Sequence, residues 1–533
     1  FGDGFETVVD PEEPKIVYSQ WQYGGLVRFD RATGEAVDIQ PQPAPGEDPY
    51  RWNWDAPVII SPHSPTRLYF AAQKLFRSDD RGDTWKTVSE DLSRGIDRDQ
   101  LKVMGKMWGP DAVHKSVSTS IYGNAVALTE SPVVEGLIYV GTDDGQVHVT
   151  SDGGATWHTE GSFPGVPEFS YVSDLEASLH DADTVYATFD NHKQGDFNPY
   201  ILKSTDRGRS WSSIRGDLPD REIAWSLAQD HVNEELLFLG TEFGLFVTVD
   251  EGNHWVALDG GLPTIAVRDL DIQRRENDLA LGTFGRGFFI LDDYTPLREI
   301  SAETMAEDAA LFPVKSAWRY IETSRLGLPT LDKAFQGDTF YTAPNPPFGA
   351  VFTYHLKDGL KTRQERRLEA EKRAEEQNAT LPYPNQEALR AEDEERDPSI
   401  VLTVRDADGK VVQRVTGPRG KGLHRVAWDL RYPSPRPTDP DPGPSAPWDS
   451  PRVGPLVLPG AYSVTLEQEV DGVVTQLAGS QSFEVVDLGG GTLPVDDPAA
   501  ALEFQRRAAE LQRAVLGAVE VTAEVKSRIE HLR

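Results

Sequence analysis

Five acidic side chains lie on predicted loops beside strands, where they could take part in hydrolysis. They are Asp55, Asp143, Asp144, Asp190 and Glu242. Inverting glycosidases hold an acid and a base about 6.5–9.5 Å apart across the scissile bond, so acidic loop residues suit that chemistry. Asp143 and Glu242 are our candidate catalytic residues. A structural alternative stays open, because Asp143-Asp144-Gly145 is also a good hairpin turn and Asp55 can cap a strand.

A second group of residues suits the binding of a sugar or a peptide. Aromatic rings can stack on the C–H groups of a sugar, while amide, acidic or guanidinium groups bind its hydroxyls. Some of these rings must belong to the core, so the prediction rests on the set and not on one member. The candidate ligand-binding residues are Trp21, Trp52, Trp54, Trp108, Tyr122, Asp190, Phe284 and Arg286, with Tyr23 and Phe243 as further aromatic candidates.

Other kinds of site are poorly supported. A sialidase needs three arginines that clamp a carboxylate, but Arg28, Arg268 and Arg286 do not occupy corresponding places in successive repeats. Residues 406–410 (DADGK) look like half of a calcium loop, but they lack the distal glutamate and favour a hairpin turn. The histidines lack the spacing of a zinc site. We therefore expect no metal and no cofactor.

The charge of the chain limits its partners. Lys and Arg number 53 against 86 Asp and Glu, which gives a formal net charge of −33. Such a surface repels nucleic acid and anionic lipid. Cysteine is absent, so no disulfide framework is possible. Since no run of about 18 apolar residues occurs, we expect no membrane span. The first residue is Phe1, inside a repeat, and we expect the chain to be a portion of a longer polypeptide.

The elements that must position these residues are short repeated strands. Residues 137–157, LIYVGTDDGQVHVTSDGGATW, predict a strand, a tight turn, a second strand and a loop that closes on a tryptophan. This loop has the form Ser/Thr-x-Asp-x-Gly-x-Thr/Ser-Trp, the Asp-box, in which aspartate accepts backbone N–H groups and glycine permits a positive φ. Three further copies of this form occur, at residues 78–85, 204–211 and 248–255, the last with His254 in place of Thr or Ser. The predicted structural residues are Asp80, Trp85, Asp152, Trp157, Asp206, Trp211, Asp250 and Trp255.

The repeats predict an all-β fold over residues 1–297. Paired strands recur near residues 16, 68, 137, 185, 237 and 279, which indicates six blades. A blade of four short strands cannot bury both faces alone, whereas a ring of blades covers them. We predict an Asp-box β-propeller with six visible blades and seven in total, closed by upstream residues or by residues 309–320. Residues 91–122 form an insertion on a face where ligands bind.

The pattern changes after the repeats. Residues 298–345 are a Pro-punctuated connector, and 346–487 contain period-two strands that predict an Ig-like β-sandwich. Residues 357–396 are rich in Glu and Arg and predict a charged helical insertion in that sandwich. Residues 488–533 are a linker and an amphipathic helix. We expect this helix to pack on a neighbour through Leu502, Phe504, Ala508, Leu511, Val515, Val519 and Val525.

Three strings resemble the bacterial Asp-box (BNR-like) propeller proteins labelled glycosyl-hydrolase-like, which are related to sortilin and the tandem-propeller xyloglucanases. They are GLIYVGTDDGQVHVTSDGGATW, LLFLGTEFGLFVTVDEGNHW and LALGTFGRGFFILDDYTPLR. GLHRVAWDLRYPSP and LPGAYSVTLE resemble the Ig-like module that follows the propeller in that family. The resemblance implies a secreted, periplasmic or cell-surface bacterial protein with a second propeller upstream. It implies no demonstrated reaction, because the label rests on fold analogy.

Two functions remain open at this point. The first is a propeller scaffold that binds a glycan, a peptide or a protein partner at its face, with an upstream propeller or a partner chain as a possible neighbour. The second is a glycoside hydrolase whose two-carboxylate cleft is shared with an upstream propeller. Turnover that disappears when one carboxylate is replaced distinguishes the second from the first.

Overall fold

The computed structural model describes residues 2–102, 105–113, 122–322, 343–381, 383–437, 453–489 and 496–532. The protein is mostly β, and the chain divides into two compact units, Phe1–Arg298 and Glu299–Arg533. The domain boundary predicted at residue 297 lies one residue before this division. Parts of the predicted insertion, connector and sandwich lie outside the described residues, at 103–104, 114–121, 323–342 and 438–452.

The first unit contains a series of small antiparallel sheets whose strands follow chain order. We number these sheets 1 to 6 along the chain. Sheet 1 is β1 (Gly4–Val9), β2 (Ile16–Trp21), β3 (Gly25–Asp30) and β4 (Ala36–Asp38); sheet 2 is β5 (Val58–Ile60), β6 (Leu68–Ala71), β7 (Leu75–Ser78) and β8 (Lys86–Thr87); sheet 3 is β9 (Ala125–Glu130), β10 (Ile138–Thr142), β11 (Val147–Thr150) and β12 (His158–Glu160). Sheet 4 is β13 (Tyr171–Ala177), β14 (Val185–Asp190), β15 (Tyr200–Ser204) and β16 (Ser212–Ser213); sheet 5 is β17 (Ala224–Gln229), β18 (Leu237–Thr241), β19 (Leu245–Thr248) and β20 (Val256–Ala257); sheet 6 is β21 (Val267–Gln273), β22 (Asp278–Thr283) and β23 (Phe288–Leu291). Short 3-10 helices span Arg98–Gln100, His192–Gln194 and Thr295–Glu299.

The core of the first unit lies between consecutive sheets. Tyr139 and Val147 of sheet 3 pack in one cluster with Phe189 and Leu202 of sheet 4, and similar clusters join the other consecutive pairs. Strands such as β10 are buried on both faces, so a sheet is stable only between two neighbours. Glu6 on β1 also interacts electrostatically with carboxylates on β13 and β21, which places first strands from sheets 1, 4 and 6 around one axis. This arrangement is consistent with a β-propeller.

One prediction about the closure of the ring is wrong. Ala309–Leu311 and Ala317–Arg319 pair with strands of the second unit, so residues 309–320 do not complete the ring. Their short apolar pattern suits the edge of a sandwich as well as that of a propeller blade. Among the described residues the first unit has six sheets, the last with three strands, and the predicted total of seven stays a prediction.

Four turns built on aspartate join the third and fourth strands of sheets 2 to 5. We call residues 78–85, 150–157, 204–211 and 248–255 the aspartate turns. In the first, the Asp80 carboxylate accepts the Thr84 N–H at 2.8 Å and the Thr84 hydroxyl at 2.6 Å, and Gly82 has φ of 88°. The Trp85 indole N–H donates to the Ile39 carbonyl at the end of sheet 1, at 2.7 Å. Trp157 and Trp255 bond to Val88 and Ile214 of the preceding sheets in the same way. These turns therefore fasten consecutive sheets together.

The second unit contains two sheets that enclose one apolar core. The first is β24 (Ala309–Leu311), β26 (Ala350–Leu356) and β29 (Gly422–Trp428). The second is β25 (Ala317–Arg319), β32 (Gln481–Asp487), β30 (Gly460–Val470), β27 (Ser399–Asp406) and β28 (Val411–Gly417), with β31 (Val473–Gln476) beside β30. Phe352, Leu402 and Trp428 from both sheets share the core. Whether this unit is Ig-like stays a prediction. Asp406 accepts N–H groups of its own β27–β28 turn, as the hairpin alternative requires.

Four helices accompany these sheets: α1 (Ala302–Ala306), α2 (Arg363–Glu376), α3 (Gln386–Asp393) and α4 (Pro498–Leu532). The predicted charged insertion contains α2 and α3, which the ion pair of Arg367 with Glu392 joins at 2.9 Å. Of the predicted packing face of α4, Leu502 is buried, whereas the other six residues are exposed. The helix instead faces its own unit through residues spaced by seven, of which Leu502 is buried and Leu516 half-buried. Within the described residues no helix is long and apolar enough to cross a membrane.

Candidate functional site

The strand order places the sequence-predicted site residues on one face of the first unit. Within each sheet the second and third strands meet at one end, where the chain also enters the next sheet, and the aspartate turns lie at the opposite end. Trp21, Asp143, Asp190, Glu242 and Phe284 all follow or end a second strand. We call this end of the sheets the hairpin face. Topology alone therefore separates the candidate site from the turns that hold the sheets together.

Three of these residues occupy equivalent positions in different sheets. The backbone N–H groups of Asp143, Glu242 and Phe284 donate to carbonyls at the entry of the first strand of their own sheets, at 3.1, 3.0 and 2.9 Å. The repeated bond fixes the first residue of the hairpin turn in each of these sheets. Since Asp143 belongs to sheet 3 and Glu242 to sheet 5, sheet 4 lies between the two candidate catalytic residues.

A backbone irregularity in the first strands of sheets 5 and 6 builds the rest of the site. The register of β17 with β18 shifts at Trp225, and that of β21 with β22 shifts at Arg268. A bulge inserts one residue into a strand and re-aims its side chain. The Arg268 guanidinium lies over the Trp225 ring, 3.5 Å from the ring centre to Cζ, and also 5.3 Å from the ring of Phe284. Two equivalent bulges thus bring an indole and a guanidinium into contact across adjacent sheets.

These side chains line a cavity of about 250 Å³, which we call the bulge pocket. The Trp225 indole N–H donates to Glu242 Oε2 at 3.0 Å and so orients that carboxylate. His192 stacks edge-on against Trp225, with ring centres 5.7 Å apart. The buried Asp190 carboxylate accepts from His192 Nδ1 at 2.7 Å and fixes that ring. The lining consists of His192, Phe197, Arg221, Ile223, Trp225, Glu242, Phe243 and Arg268.

A second glutamate lies close to Glu242. Glu222 is 8% exposed, and its Oε2 has no hydrogen-bond partner among the described residues. Burial is the main cause that raises the pKa of Glu222, and the charge of Glu242 adds to it. A carboxyl group with a raised pKa beside an oriented carboxylate is an arrangement that acid–base chemistry uses. Glu222 is not among the residues that line the pocket, so its path to a ligand depends on motion of its neighbours.

Asp143, the other candidate catalytic residue, is engaged by the backbone. Its carboxylate accepts N–H groups from Gly123 at 2.9 Å, Asn124 at 3.0 Å and Tyr122. Burial, the largest influence, nevertheless raises the pKa of Asp143 to about 6. Asp144 likewise accepts the Arg94 N–H at 2.7 Å. These contacts fit the turn alternative, in which both aspartates hold the end of the insertion, and a catalytic role for Asp143 stays a prediction.

The predicted aromatic set divides into three places. Trp52 belongs to the core, where it stacks on Phe70 with ring centres 4.5 Å apart. Trp21 and Trp54 are exposed, and Trp54 contacts Tyr23 edge-on at 5.1 Å. Cationic side chains cover rings of the insertion, with Lys106 over Trp108 at 4.4 Å and Arg98 over Tyr122 at 4.1 Å. Arg286 is exposed on the turn after Phe284. None of these is among the residues that line the bulge pocket.

Carboxylates also gather on the first strands around the axis of the ring. Burial raises the pKa of Glu6 to about 8, of Asp174 to about 7 and of Glu176 to about 8, and neighbouring carboxylates add to the effect. Desolvation is the first cause for Glu6 even though its side chain contacts solvent, and the charges of Asp55, Asp269 and Asp174 raise its pKa further. Asp174 also accepts the Leu227 N–H at 2.8 Å and so ties sheet 4 to sheet 5.

Of the candidates named from the sequence, Glu242 and Phe243 line the bulge pocket, and Trp225 was not among the candidates. Arg268 was considered only for a sialidase clamp. Both lie inside strands, where a polar or aromatic residue predicts nothing by itself. The available signal was an alignment of the repeats: residues 172–175 (VSDL), 224–227 (AWSL) and 267–270 (VRDL) begin with a small apolar residue, end in Leu and differ at the second position, which is the bulge.

No family model matches the chain. It is 24% identical over 243 residues to the xyloglucanase Xgh74A of Acetivibrio thermocellus, a match that covers 40% of this chain and 26% of the relative. A xyloglucanase of a Paenibacillus species is 25% identical over 245 residues, covering 40% of this chain and 21% of the relative. The chain thus spans about a quarter of the length of the curated relatives it matches.

Two bacterial proteins are among the solved structures that match this chain. The GH74 xyloglucanase of Xanthomonas campestris has 18% sequence identity and a TM-score of 0.39, over 56% of this chain and 45% of that one. PorZ, a surface component of the type-IX secretion system of Porphyromonas gingivalis, has 11% identity and a TM-score of 0.38, over 90% of this chain and 51% of that one. The sequence matches relate part of the chain to glycoside hydrolases.

Proposed function

We propose that the first unit binds a saccharide in the bulge pocket, as the β-propeller scaffold of a secreted or cell-surface protein. The observation that carries this proposal is one cavity that combines free aromatic rims with fixed polar groups. Phe243 and Phe284 are 52% and 68% exposed at its edge, and a sugar ring can stack on either. Glu242 and His192 are held by Trp225 and Asp190, so they keep their positions before a ligand arrives.

The size and chemistry of the bulge pocket favour one sugar ring. A cavity of about 250 Å³ is smaller than the roughly 300–1,000 Å³ of sites for drug-sized ligands. Glu242 accepts hydrogen bonds from hydroxyl groups, while Arg268 donates them, so a ring with several hydroxyls satisfies both. Binding of a peptide or a protein segment is the competing outcome. The exposed Trp21 and Trp54 on the same face offer further stacking surfaces for a longer glycan.

Sheet 6 supports the proposal that a seventh sheet completes the ring. Leu245 and Val247 on the third strand of sheet 5 are buried against sheet 6. The strand pairing makes Phe288 and Ile290 their equivalents on sheet 6, yet these side chains are 84% and 54% exposed. Two large apolar side chains at positions that are otherwise buried fit contact with a further sheet, from an upstream propeller or a partner chain. We also assign the aspartate turns to the Asp-box class, because they combine its sequence form with an aspartate that accepts N–H groups of its own turn.

Hydrolysis of a glycan is the second candidate function. Glu222 and Glu242 are neighbouring carboxyl groups, one with a raised pKa, and glycosidases use such pairs. The sequence similarity to proteins named xyloglucanases makes xyloglucan the first substrate to test. An upstream propeller would then supply the other side of the cleft.

Calorimetric titration of the chain with xyloglucan oligosaccharides and other β-glucan oligosaccharides tests the first function. We expect binding that Phe243→Ala and Glu242→Gln weaken, whereas Tyr383→Ala, a change at a 93% exposed aromatic residue of the second unit, leaves it unchanged. The absence of binding to every saccharide would refute the proposal. A reducing-sugar assay on the same oligosaccharides tests the second function, which requires turnover that Glu222→Gln or Glu242→Gln abolishes.

A further inference from the structure

Two arginines of the bulge pocket have no carboxylate partner. Arg221 and Arg268 both line it, and in the part of the chain that the structure describes neither forms an ion pair or a hydrogen bond. Elsewhere in the same unit, arginines are held by acids: Arg81 by Asp10 at 2.8 Å and Arg298 by Asp230 at 2.7 Å. Both side chains are exposed to solvent, so two unpaired guanidinium groups of one cavity are accessible to a ligand.

The contacts of these arginines leave their hydrogen-bonding edges free. Arg268 lies flat on Trp225 at 3.5 Å, and Arg221 lies 5.8 Å from the ring of Phe197. Stacking on an aromatic face restricts the guanidinium plane but uses none of its N–H groups. Glu242 attracts Arg268 through space, yet it stays beyond ion-pair distance because the Trp225 indole N–H holds it. The guanidinium of Arg268 is therefore oriented and available.

Such a guanidinium matches a planar anion. A carboxylate accepts two parallel N–H bonds from arginine, and burial strengthens the interaction. Arg268 is exposed to solvent, although the protein around it desolvates the guanidinium enough to lower its pKa. Glu242 on the same cavity repels a bare anion but accepts hydroxyl groups. A ligand that presents a carboxylate to the arginines and hydroxyls to Glu242 fits both.

We propose that the bulge pocket recognises a sugar that carries a carboxylate, a uronic acid, through Arg268 with Arg221 beside it. The inference rests on the saccharide-binding function proposed above and specifies its ligand class. One carboxylate on one ring fits the size of the cavity. Acidic side chains around the pocket, among them Asp190 and Glu242, would disfavour a ligand with several charges. The terminal uronic acid of a glycan is thus the expected ligand.

Calorimetric titration with three matched sugars tests the inference. The ligands are methyl β-D-glucuronide, its uncharged methyl ester and methyl β-D-glucoside. We expect the glucuronide to bind about tenfold more tightly than either neutral sugar, since a paired guanidinium and carboxylate exceed neutral hydrogen bonds by about this factor. The preference should fall as sodium chloride rises. Equal binding of all three sugars would overturn the inference and leave saccharide binding intact, whereas failure of all three and of every glucan oligosaccharide would overturn both.

Substitutions of Arg268 test whether this arginine binds the carboxylate of the sugar. Arg268→Gln should abolish the tenfold preference, and Arg268→Lys should retain part of it, because lysine keeps the charge without the planar pair of donors. The matched control is Arg274→Gln, an exposed arginine just after the other end of β21, which should leave the preference unchanged. A preference that survives Arg268→Gln would refute the assignment. A last titration compares a peptide that has a free C-terminal carboxylate with the same peptide as its amide. Binding of the peptide carboxylate without binding of the glucuronide would refute a uronic acid as the ligand.

Discussion

We expect the aspartate turns to contribute to stability, and the contacts of Asp206 allow the contribution of one turn to be worked out. The Asp206 carboxylate accepts the Ser210 hydroxyl at 2.6 Å, the Ser210 N–H at 2.8 Å, the Ser204 hydroxyl at 2.9 Å and the Arg209 N–H at 3.0 Å. Hydrogen bonds to a charged group contribute about 1.5–3 kcal/mol when dry, but water replaces several of these on a turn. We therefore expect Asp206→Ala to lower the free energy of unfolding of the first unit by about 2 kcal/mol.

Titration of Asp206 gives a second measure of the same turn. The bond from the Ser210 hydroxyl is the main cause that lowers the pKa of Asp206 from 3.8 to about 2. A shift of this size corresponds to at most about 2.5 kcal/mol, and partial exposure reduces it. Because the folded pKa lies below the unfolded one, this stability is present above about pH 3.8 and is lost as pH falls towards 2.

Urea unfolding followed by tryptophan fluorescence measures both effects, because Trp211 lies in the same turn. The control is Asp259→Ala, a change at an exposed aspartate whose side chain forms no hydrogen bond with the described residues. We expect the difference between wild type and Asp206→Ala to stay constant from pH 7 to 5 and to narrow below pH 4. An Asp206→Ala variant within about 0.5 kcal/mol of Asp259→Ala would show that the turn is a consequence of the sheet packing and not a contributor to it.

Three further outcomes follow from the same contacts. Trp225→Phe removes the indole N–H that orients the pocket carboxylate, so saccharide affinity in calorimetric titration should fall about tenfold while the melting temperature changes little. Burial raises the pKa of Glu176 to about 8, so the wild-type carboxyl destabilises the fold increasingly as pH rises from 4.5 to 8; Glu176→Gln should raise the melting temperature at pH 8 and change it little at pH 4.5. Trp52→Ala removes a stacked core ring and should cost about 3–5 kcal/mol of unfolding free energy, whereas Trp54→Ala should cost less than about 1 kcal/mol, both measured by urea unfolding.

Strand positions could be predicted because burial dictates composition in short strands. Runs such as LIYVGT and LLFLGT are apolar on both faces, and they became the second strands of sheets 3 and 5. The prediction for residues 309–320 failed because short apolar strands carry no signal for the sheet that will accept them. The packing of α4 could not be predicted for a similar reason. Two apolar stripes run along this helix, and the sequence alone does not show which of them contacts the rest of the protein.

Residues of the candidate site could be predicted from the sequence only where they lie at hairpin turns. Glu242 and Phe284 stand at hairpin turns, and turn chemistry is local, so their position could be inferred from Gly244 and Gly285 beside them. Trp225 and Arg268 could not be found in this way. A bulge depends on how two strands share hydrogen bonds, and nothing in AWSLAQ or VRDLDIQ alone shows that the second residue leaves the ladder.

The division of the first unit into two ends explains why a site can form where it does. The aspartate turns fasten consecutive sheets at one end, which leaves the hairpin face free of that task. The bulges of sheets 5 and 6 meet between the two sheets, where the Arg268 guanidinium lies over the Trp225 ring. The bulge pocket accordingly takes His192 from sheet 4, Trp225 and Glu242 from sheet 5 and Arg268 from sheet 6. A ligand held there touches three sheets at once, so its affinity depends on their spacing, and that spacing is what the turns at the opposite end set.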